Sequence, residues 1–488
     1  MKRLFNFRVL VWTLASLITL YALLVVLENW TGARALAAAK QRVAKEGENL
    51  DFMALVPPLP PEAENFCALE PLAGLTNPKN KPAPALEALG KLISQAPVGL
   101  NSIQLGTASD VKPWIEHLAK NGIGKADATP DEMLAALDAA HPVLKTPADA
   151  ASQRRAAQFT PRMGETLGDG AIFVELPMPH YAFAQRLTKI LLLRCHLATA
   201  AGQARQALHC LQASLRLCEA CLREPVLIGQ LVGVAIHATA MNRLWALLQA
   251  RVLTEAELAI LKQELVRLDF PSAMLQAMRG ELAGGTQALE AIRSRPDVLN
   301  TLFSIVRDDG STQSFLPSNT LAKLIPLGFI DHSEAVIIEQ QLDGFILPMK
   351  RGGYPQLKRG LKDFETQFVG QSKLSRPHHL LSSLMLPAYS GIIRSITESE
   401  TRRRQALAAL AIESFRLAKG SLPSSLPDGI LDVIDEKPMR YRVEGSDYVL
   451  WSIAHDEEDD GGKTSGKDER TTDAKFTGDW VWQMPTGS

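Results

Sequence analysis

The residues best suited to chemistry lie near the end of the chain, in HDEEDDGGKTSGKDERTTDAKFTGD at 455–479. Asp456, Asp459, Asp460 and Asp479 offer carboxylate oxygens on a glycine-bearing loop. Calcium takes that kind of ligand on that kind of backbone, with six to eight oxygens at about 2.3–2.6 Å. The competing reading is a solvated acidic loop, because most charge runs are only that.

Other chemistry-bearing residues are weaker candidates. The cysteines are Cys67, Cys195, Cys210, Cys218 and Cys221, an odd number in a long chain and not a disulfide scaffold. Cys218 and Cys221 make a CxxC, but on the apolar stripe of an expected helix rather than at a helix N-terminus. They are expected to be core residues. Of ten histidines only His378 and His379 are adjacent. Neighbours at i,i+1 diverge, so convergence on a metal is not expected. His196 and His209 flank a turn at Gly202 and are expected to pack between helices. Arg402, Arg403 and Arg404 read as a wet helix-start cluster, or else a basic docking site. No His-Glu-x-x-His, Gly-x-Ser-x-Gly or Gly-x-x-x-x-Gly-Lys occurs, and Gly122-Ile-Gly124 is a lone pair without a dinucleotide context. No reaction is therefore indicated, although a triad needs only proximity in space.

The elements that must position these residues begin with Val9 to Leu27, VLVWTLASLITLYALLVVL, which carries no charge. Such a run covers about 28 Å as a helix, close to the hydrocarbon thickness of a bilayer. Lys2, Arg3 and Arg8 precede it and Glu28 follows. The positive-inside rule then places the N-terminus in the cytoplasm and the body across an inner membrane, in the periplasm. A cleaved signal peptide ending at Ala33-Arg-Ala35 is the alternative; the apolar run is longer than an ordinary signal core and favours an uncleaved anchor. Asn29-Trp-Thr31 fits a glycosylation sequon but lies too near the bilayer to carry meaning.

Beyond the span, residues 31–48 are Ala-rich and amphipathic and extend the helix outward. Val56 to Glu62, VPPLPPE, must break it and reads as a semi-rigid stem or docking strap. Helix starts are expected at Thr129-Pro-Asp-Glu132, Thr146-Pro-Ala-Asp149, Thr254-Glu-Ala-Glu257 and Asp331-His-Ser-Glu334. Strand candidates in the body are Ser102–Leu105 and Ala171–Leu176; 307–320, Arg351–Tyr354 and Ser375–His379 read as loops. A helical hairpin runs from Phe183 to Leu222. Leu208, Leu211, Leu215, Cys218 and Leu222 form one stripe in it. Further helices are expected at 226–250, 255–268, 272–294 and 332–347. Gly202 followed by Ala207-Leu208 resembles the middle of a tetratricopeptide unit, which implies stacked helical hairpins.

From Glu398 the chain changes character. Thr401 to Lys419 is a strong helix that Gly420 and Pro423 end. Strand candidates follow at Met439–Val443, Tyr448–Ile453 and Trp480–Gln483. The series Phe415-Arg-Leu-Ala-Lys-Gly420-Ser-Leu-Pro423, Arg440-Tyr441-Arg442, Ser452-Ile-Ala-His-Asp456, Gly461-Gly462 and Asp479-Trp480 resembles the C-terminal half of pseudopilins, especially the major pseudopilin of type II secretion. The likeness covers about 85 residues (398–488) of a 488-residue chain. It implies a long helix with a short antiparallel sheet and a loop held by calcium, with Asp456 and Asp479 at the matching positions. The chain departs from that family in lacking a prepilin signature. Ala454 also stands where glycine is usual.

The reading is thus a mainly α protein: an anchor at 1–30, a helical extension and stem at 31–62, a helical body at 63–397 with its repeat-like core at 181–300, and an α+β module at 398–488. Net charge is −1, which gives no footprint for nucleic acid. The expected function is a membrane-anchored, non-enzymatic scaffold that binds a protein on its helical body. A secretion or pilus-assembly component and an exported hydrolase or transferase are the alternatives.

Overall fold

A computed structural model describes residues 2–73, 75, 84–96, 110–159, 173, 176, 178–292, 304–306, 312–314, 326–368, 378, 389–427, 429–464 and 478–484. In chain order the helices are α1 Lys2–Lys45, α2 Phe52–Leu55, α3 Pro84–Ser94, α4 Lys112–Lys120, α5 Pro130–Ala140, α6 Lys145–Ala150, α7 Pro179–Ala200, α8 Ala204–Leu222, α9 Leu227–Gln249, α10 Glu255–Val266 and α11 Phe270–Ile292. After the hairpin β1 Ser304–Val306 and β2 Thr312–Ser314 come α12 Leu327–Gln341, α13 Leu347–Phe368 and α14 Tyr389–Lys419. The chain closes with β3 Arg440–Glu444, β4 Asp447–Ser452 and β5 Trp480–Gln483. The protein is mainly helical with a small C-terminal sheet, as its periodicities imply.

The chain divides into two compact units: 1–55 with 163–176 and 278–389, and 56–162 with 177–277 and 390–488.

In the first unit α1 is one unbroken helix of 44 residues, about 66 Å long. Its apolar part from Val9 to Leu27 is exposed nearly throughout, so it is long and apolar enough to cross a membrane. Beyond it the burial pattern changes to a stripe. Gly32, Leu36, Ala39 and Val43 are buried at 4-3-4 spacing against α12. Gly32 and Gly328 meet backbone to backbone: a Cβ on Gly328 would strike the Glu28 carbonyl oxygen and the Asn29 Cα. Asn29 Oδ1 accepts the otherwise free Gly328 N–H at 2.7 Å. Lys40 pairs with buried Glu334 at 3.1 Å and also with Glu290, and Arg42 pairs with Glu339 and Asp343. Glu48 takes both Arg279 (2.6 Å) and Lys350 (2.8 Å).

The Asp331–Glu334 signal does not start a helix. α12 begins a turn earlier, after Pro326, because its first turn is held by the close approach to α1 and by Asn29. Ser333 bonds back to Phe329 O instead. Within 307–320, read as a loop, Thr312–Ser314 pairs antiparallel with Ser304–Val306. Gly352 and Gly353 break α13 where a loop is expected, and Gly353 takes φ +62°. Ser102–Leu105 lies outside the described residues, and Phe173 and Leu176 of the other strand candidate are not in a strand.

The second unit is built on α8, which packs on α7, α9, α10 and α6. α7 and α8 form the expected hairpin. Gly202 sits at φ +71° with open space where a Cβ would stand, so it serves as a left-handed helix terminator and not as a close-packing contact. Gly202 N–H bonds Thr199 O at 3.1 Å, and Gln203 N–H bonds Ala198 O at 2.8 Å. Burial on α8 goes beyond the apolar stripe. Arg216 and Glu219 are also inside, paired with each other at 3.0 Å, and Arg216 reaches Glu264 of α10 at 2.9 Å. Four packing partners leave that helix no wet face. α9 is apolar enough to span a membrane, but most of it is buried in this core.

Both threonine capping boxes form, at Thr129/Glu132 and Thr254/Glu257. The Thr146 signal falls inside α6, which runs directly on from a 3₁₀ turn at Pro142–Leu144. The Pro-rich segment is a docked strap. Arg154 donates to Glu62 O and Asn65 O, Gln158 donates to Pro57 O, and Asn65 and Gln158 exchange two bonds at 2.9 and 3.0 Å.

Candidate functional site

The C-terminal sheet runs β3-β4-β5, antiparallel throughout. β4 is buried along its whole length, which suits its apolar run Tyr448–Trp451. Gly420 ends α14 at φ +73°, and its N–H returns to Arg416 O at 2.8 Å. The Tyr441 hydroxyl on β3 then donates to Pro423 O at 2.8 Å, tying the sheet to the chain that leaves the helix. Beneath this tie Asp432 is fully buried. It accepts from Arg440 at 2.7 Å, from the Ser452 hydroxyl at 2.7 Å and from Ile453 N–H at 3.3 Å. These donors, with Ile434 N–H at 3.0 Å, compensate the buried carboxylate and fix the end of β4, where the acidic loop begins.

Sharp backbone turns shape that loop. Ala454 and Glu457 take φ +51° and +63°, and Gly461, Gly462 and Gly478 are also positive. Asp456 and Asp479 clasp its two ends reciprocally. Asp456 Oδ2 accepts Gly478 N–H at 2.9 Å, and Asp479 Oδ2 accepts Gly462 N–H at 2.7 Å. Asp479 N–H adds a bond to Lys463 O at 2.9 Å. Asp459 faces the sheet, accepting from Trp451 Nε1 at 2.8 Å, Gly461 N–H at 3.1 Å and Arg440 Nε at 3.2 Å. The Trp451 bond leads in holding the Asp459 carboxyl below its usual range. Asp479 is only 3% exposed, and its Oδ1 has no hydrogen-bond partner. Burial pushes its carboxyl up. That unpartnered oxygen is the feature of the loop that favours a cation; the other oxygens of Asp456 and Asp479 bond backbone N–H groups.

The remaining sequence candidates serve the fold. All five cysteines are buried thiols. Burial raises Cys195 to about 12 and Cys210 to about 11, and raises Cys218 and Cys221 as well. None has the electropositive, accessible setting of a reactive thiol. His196 is driven down to about 3 by burial and next by Arg243, whereas His209 lies beside Asp149 at 3.7 Å, so the two do not act together. The arginine cluster is half-buried and bonded within the fold. Arg402 donates to Val481 O on β5, Arg403 to Leu265 O on α10, and Arg404 to Leu431 O; Arg403 and Arg404 also hold Glu400. Gly122 and Gly124 end α4, where Ile123 N–H caps Leu118 O.

Sequence reasoning missed a second group. Glu28 on α1, His332 on α12 and His378 each offer a ligand atom, and these atoms lie within 4.8 Å of one another. Among the described residues this is where three such ligands converge. His378 Nε2 pairs with Glu28 Oε1, and the His332 and His378 rings stack with centroids 4.3 Å apart at 26°. His332 Nε2 lies 3.1 Å from Thr31 Oγ1, whose own proton goes to Leu27 O at 2.9 Å. Desolvation, and next the neighbouring His378, lower the His332 pKa. The histidine pair at 378–379 drew attention in the sequence, but the partners of His378 lie far off in the chain and carry no local signal.

No protein family, no curated protein and no solved structure matches this chain.

Proposed function

We propose that this protein is a single-pass membrane-anchored scaffold, with its N-terminus cytoplasmic and its body extracytoplasmic, that binds another protein on its helical body. The exposed apolar length of α1 from Val9 to Leu27, ahead of a stripe buried on α12, carries the reading. A surface apolar over that length has no aqueous use and fits lipid. Lys2, Arg3 and Arg8 before it support the orientation. A non-enzymatic role is supported by the engagement of the histidines, cysteines and arginines above in packing.

The experiment is capture of partners from detergent-solubilised membranes with the intact chain, beside a chain lacking residues 1–30. Labelling of single cysteines placed at Lys2 and Ser488 by an impermeant reagent checks the orientation. A stoichiometric partner retained on the body supports the scaffold. Turnover of an ester, glycoside or phosphoester panel, without such a partner, would overturn it.

The second reading is a secretion or pilus-assembly component with a calcium-held loop. The Tyr441–Pro423 tie and the Asp456/Asp479 clasp favour it, because they join the motif elements that carry the pseudopilin resemblance. Bound there, calcium would draw Asp456 and Asp479 together and stiffen the loop. A melting temperature of the full chain that rises with calcium and falls with chelator supports this. An unchanged temperature removes the calcium.

A further inference from the structure

We propose that Glu28, His332 and His378 bind a divalent transition-metal ion of the zinc class where the apolar helix leaves the membrane. Two imidazoles and one carboxylate are the nitrogen and oxygen donors that Zn²⁺ and its neighbours accept. Three separate chain segments deliver them, and their ligand atoms lie within 4.8 Å of one another. Ligands of a tetrahedral ion with bonds of about 2.0–2.1 Å sit roughly 3.3 Å apart, so side-chain torsion alone closes the difference.

Three features prepare the site. The Gly32–Gly328 crossing and the Asn29–Gly328 hydrogen bond fix α12 against α1 one turn from the ligands. Thr31 holds the His332 ring: its hydroxyl reaches Leu27 O and Glu28 O, and Oγ1 lies 3.1 Å from His332 Nε2; with Nε2 donating to it, Nδ1 keeps the lone pair. This is the outer-shell arrangement that orients metal-binding histidines. Phe329 lies against His378, ring centroids 5.4 Å apart, and packs on the half-buried ring.

One divalent ion accepts both lone pairs and neutralises the carboxylate. Solvent fills the fourth position.

The test uses the full-length chain without a histidine tag, in nanodiscs, stripped with chelator. Co²⁺ is titrated and its ligand-field absorption followed, with Zn²⁺ as competitor. One saturable equivalent of Co²⁺ displaced by Zn²⁺, and a Zn²⁺-dependent rise in melting temperature, are expected. H332A and H378A should each weaken Co²⁺ binding by at least about tenfold, and T31V by about tenfold. E28Q keeps the shape of the side chain and should lose the Zn²⁺-dependent rise. H209A should bind as the wild type does. Absence of saturable binding by the wild-type chain, or unchanged binding by the H332A/H378A double variant, overturns the proposal. The wild-type titration stands even if a variant misfolds.

Discussion

The acidic C-terminal loop and the Glu28–His332–His378 group are opposite cases of how ligand atoms come together. The loop concentrates carboxylates within a few residues of one another. Its backbone then takes them up: Gly478 N–H on Asp456, Gly462 N–H on Asp479, and Trp451 and Arg440 on Asp459. The second group has no local density of ligands and gathers by tertiary packing alone. Richness in sequence and convergence in space are separate properties. A short loop has its own amide groups to satisfy, and they compete for the carboxylates nearest to them.

This contrast can be broken most severely at Gly328. Gly328→Ala puts a methyl group into the backbone of α1 at Glu28 and Asn29. It should cost about 3 kcal/mol, at the upper end for overpacking. Thermal unfolding of the reconstituted chain should show this, and Co²⁺ affinity should fall with it. Any calcium response of the loop should be unchanged, because the loop draws on none of these contacts.

A smaller effect sharpens the other side. Ala454 adopts φ +51°, a conformation that favours glycine. Ala454→Gly should stabilise the chain by about 1 kcal/mol in denaturant unfolding, with Co²⁺ binding unaltered.

The smallest effect concerns Asp479, whose folded pKa is raised by burial. The folded state then holds the proton more tightly than the unfolded state. Asp479 favours folding most at pH below its unfolded pKa, and that contribution is lost as pH rises through the folded value. Asp479→Asn should therefore raise the calcium-free melting temperature slightly at pH 7. The gain should disappear on acidification below the usual carboxylate range. Melting curves across that pH window check it.

Much of the fold is legible in local sequence because local physics produces it. The Thr129 and Thr254 boxes bond within one turn, Gly420 and Gly202 end helices by their own φ, and β4 is an uninterrupted apolar run. The failures share another cause. The start of α12 is set by α1, and the engagement of Arg402 and Arg403 by carbonyls on β5 and α10. Each partner is distant in sequence. Asp456 and Asp479 stand at the two ends of one loop. Their engagement with amides depends on glycine conformations that residue types alone do not reveal.

α1 carries one more implication. It passes from the apolar span into the stripe buried on α12 without a break. A helix with no joint cannot swivel at the bilayer surface. A change in bilayer thickness that tilts the span, or a partner helix that turns it, is delivered as torque to the Gly32–Gly328 crossing. The anchor is then mechanically a lever arm, and the crossing beside Glu28 and His332 is where its load is first felt.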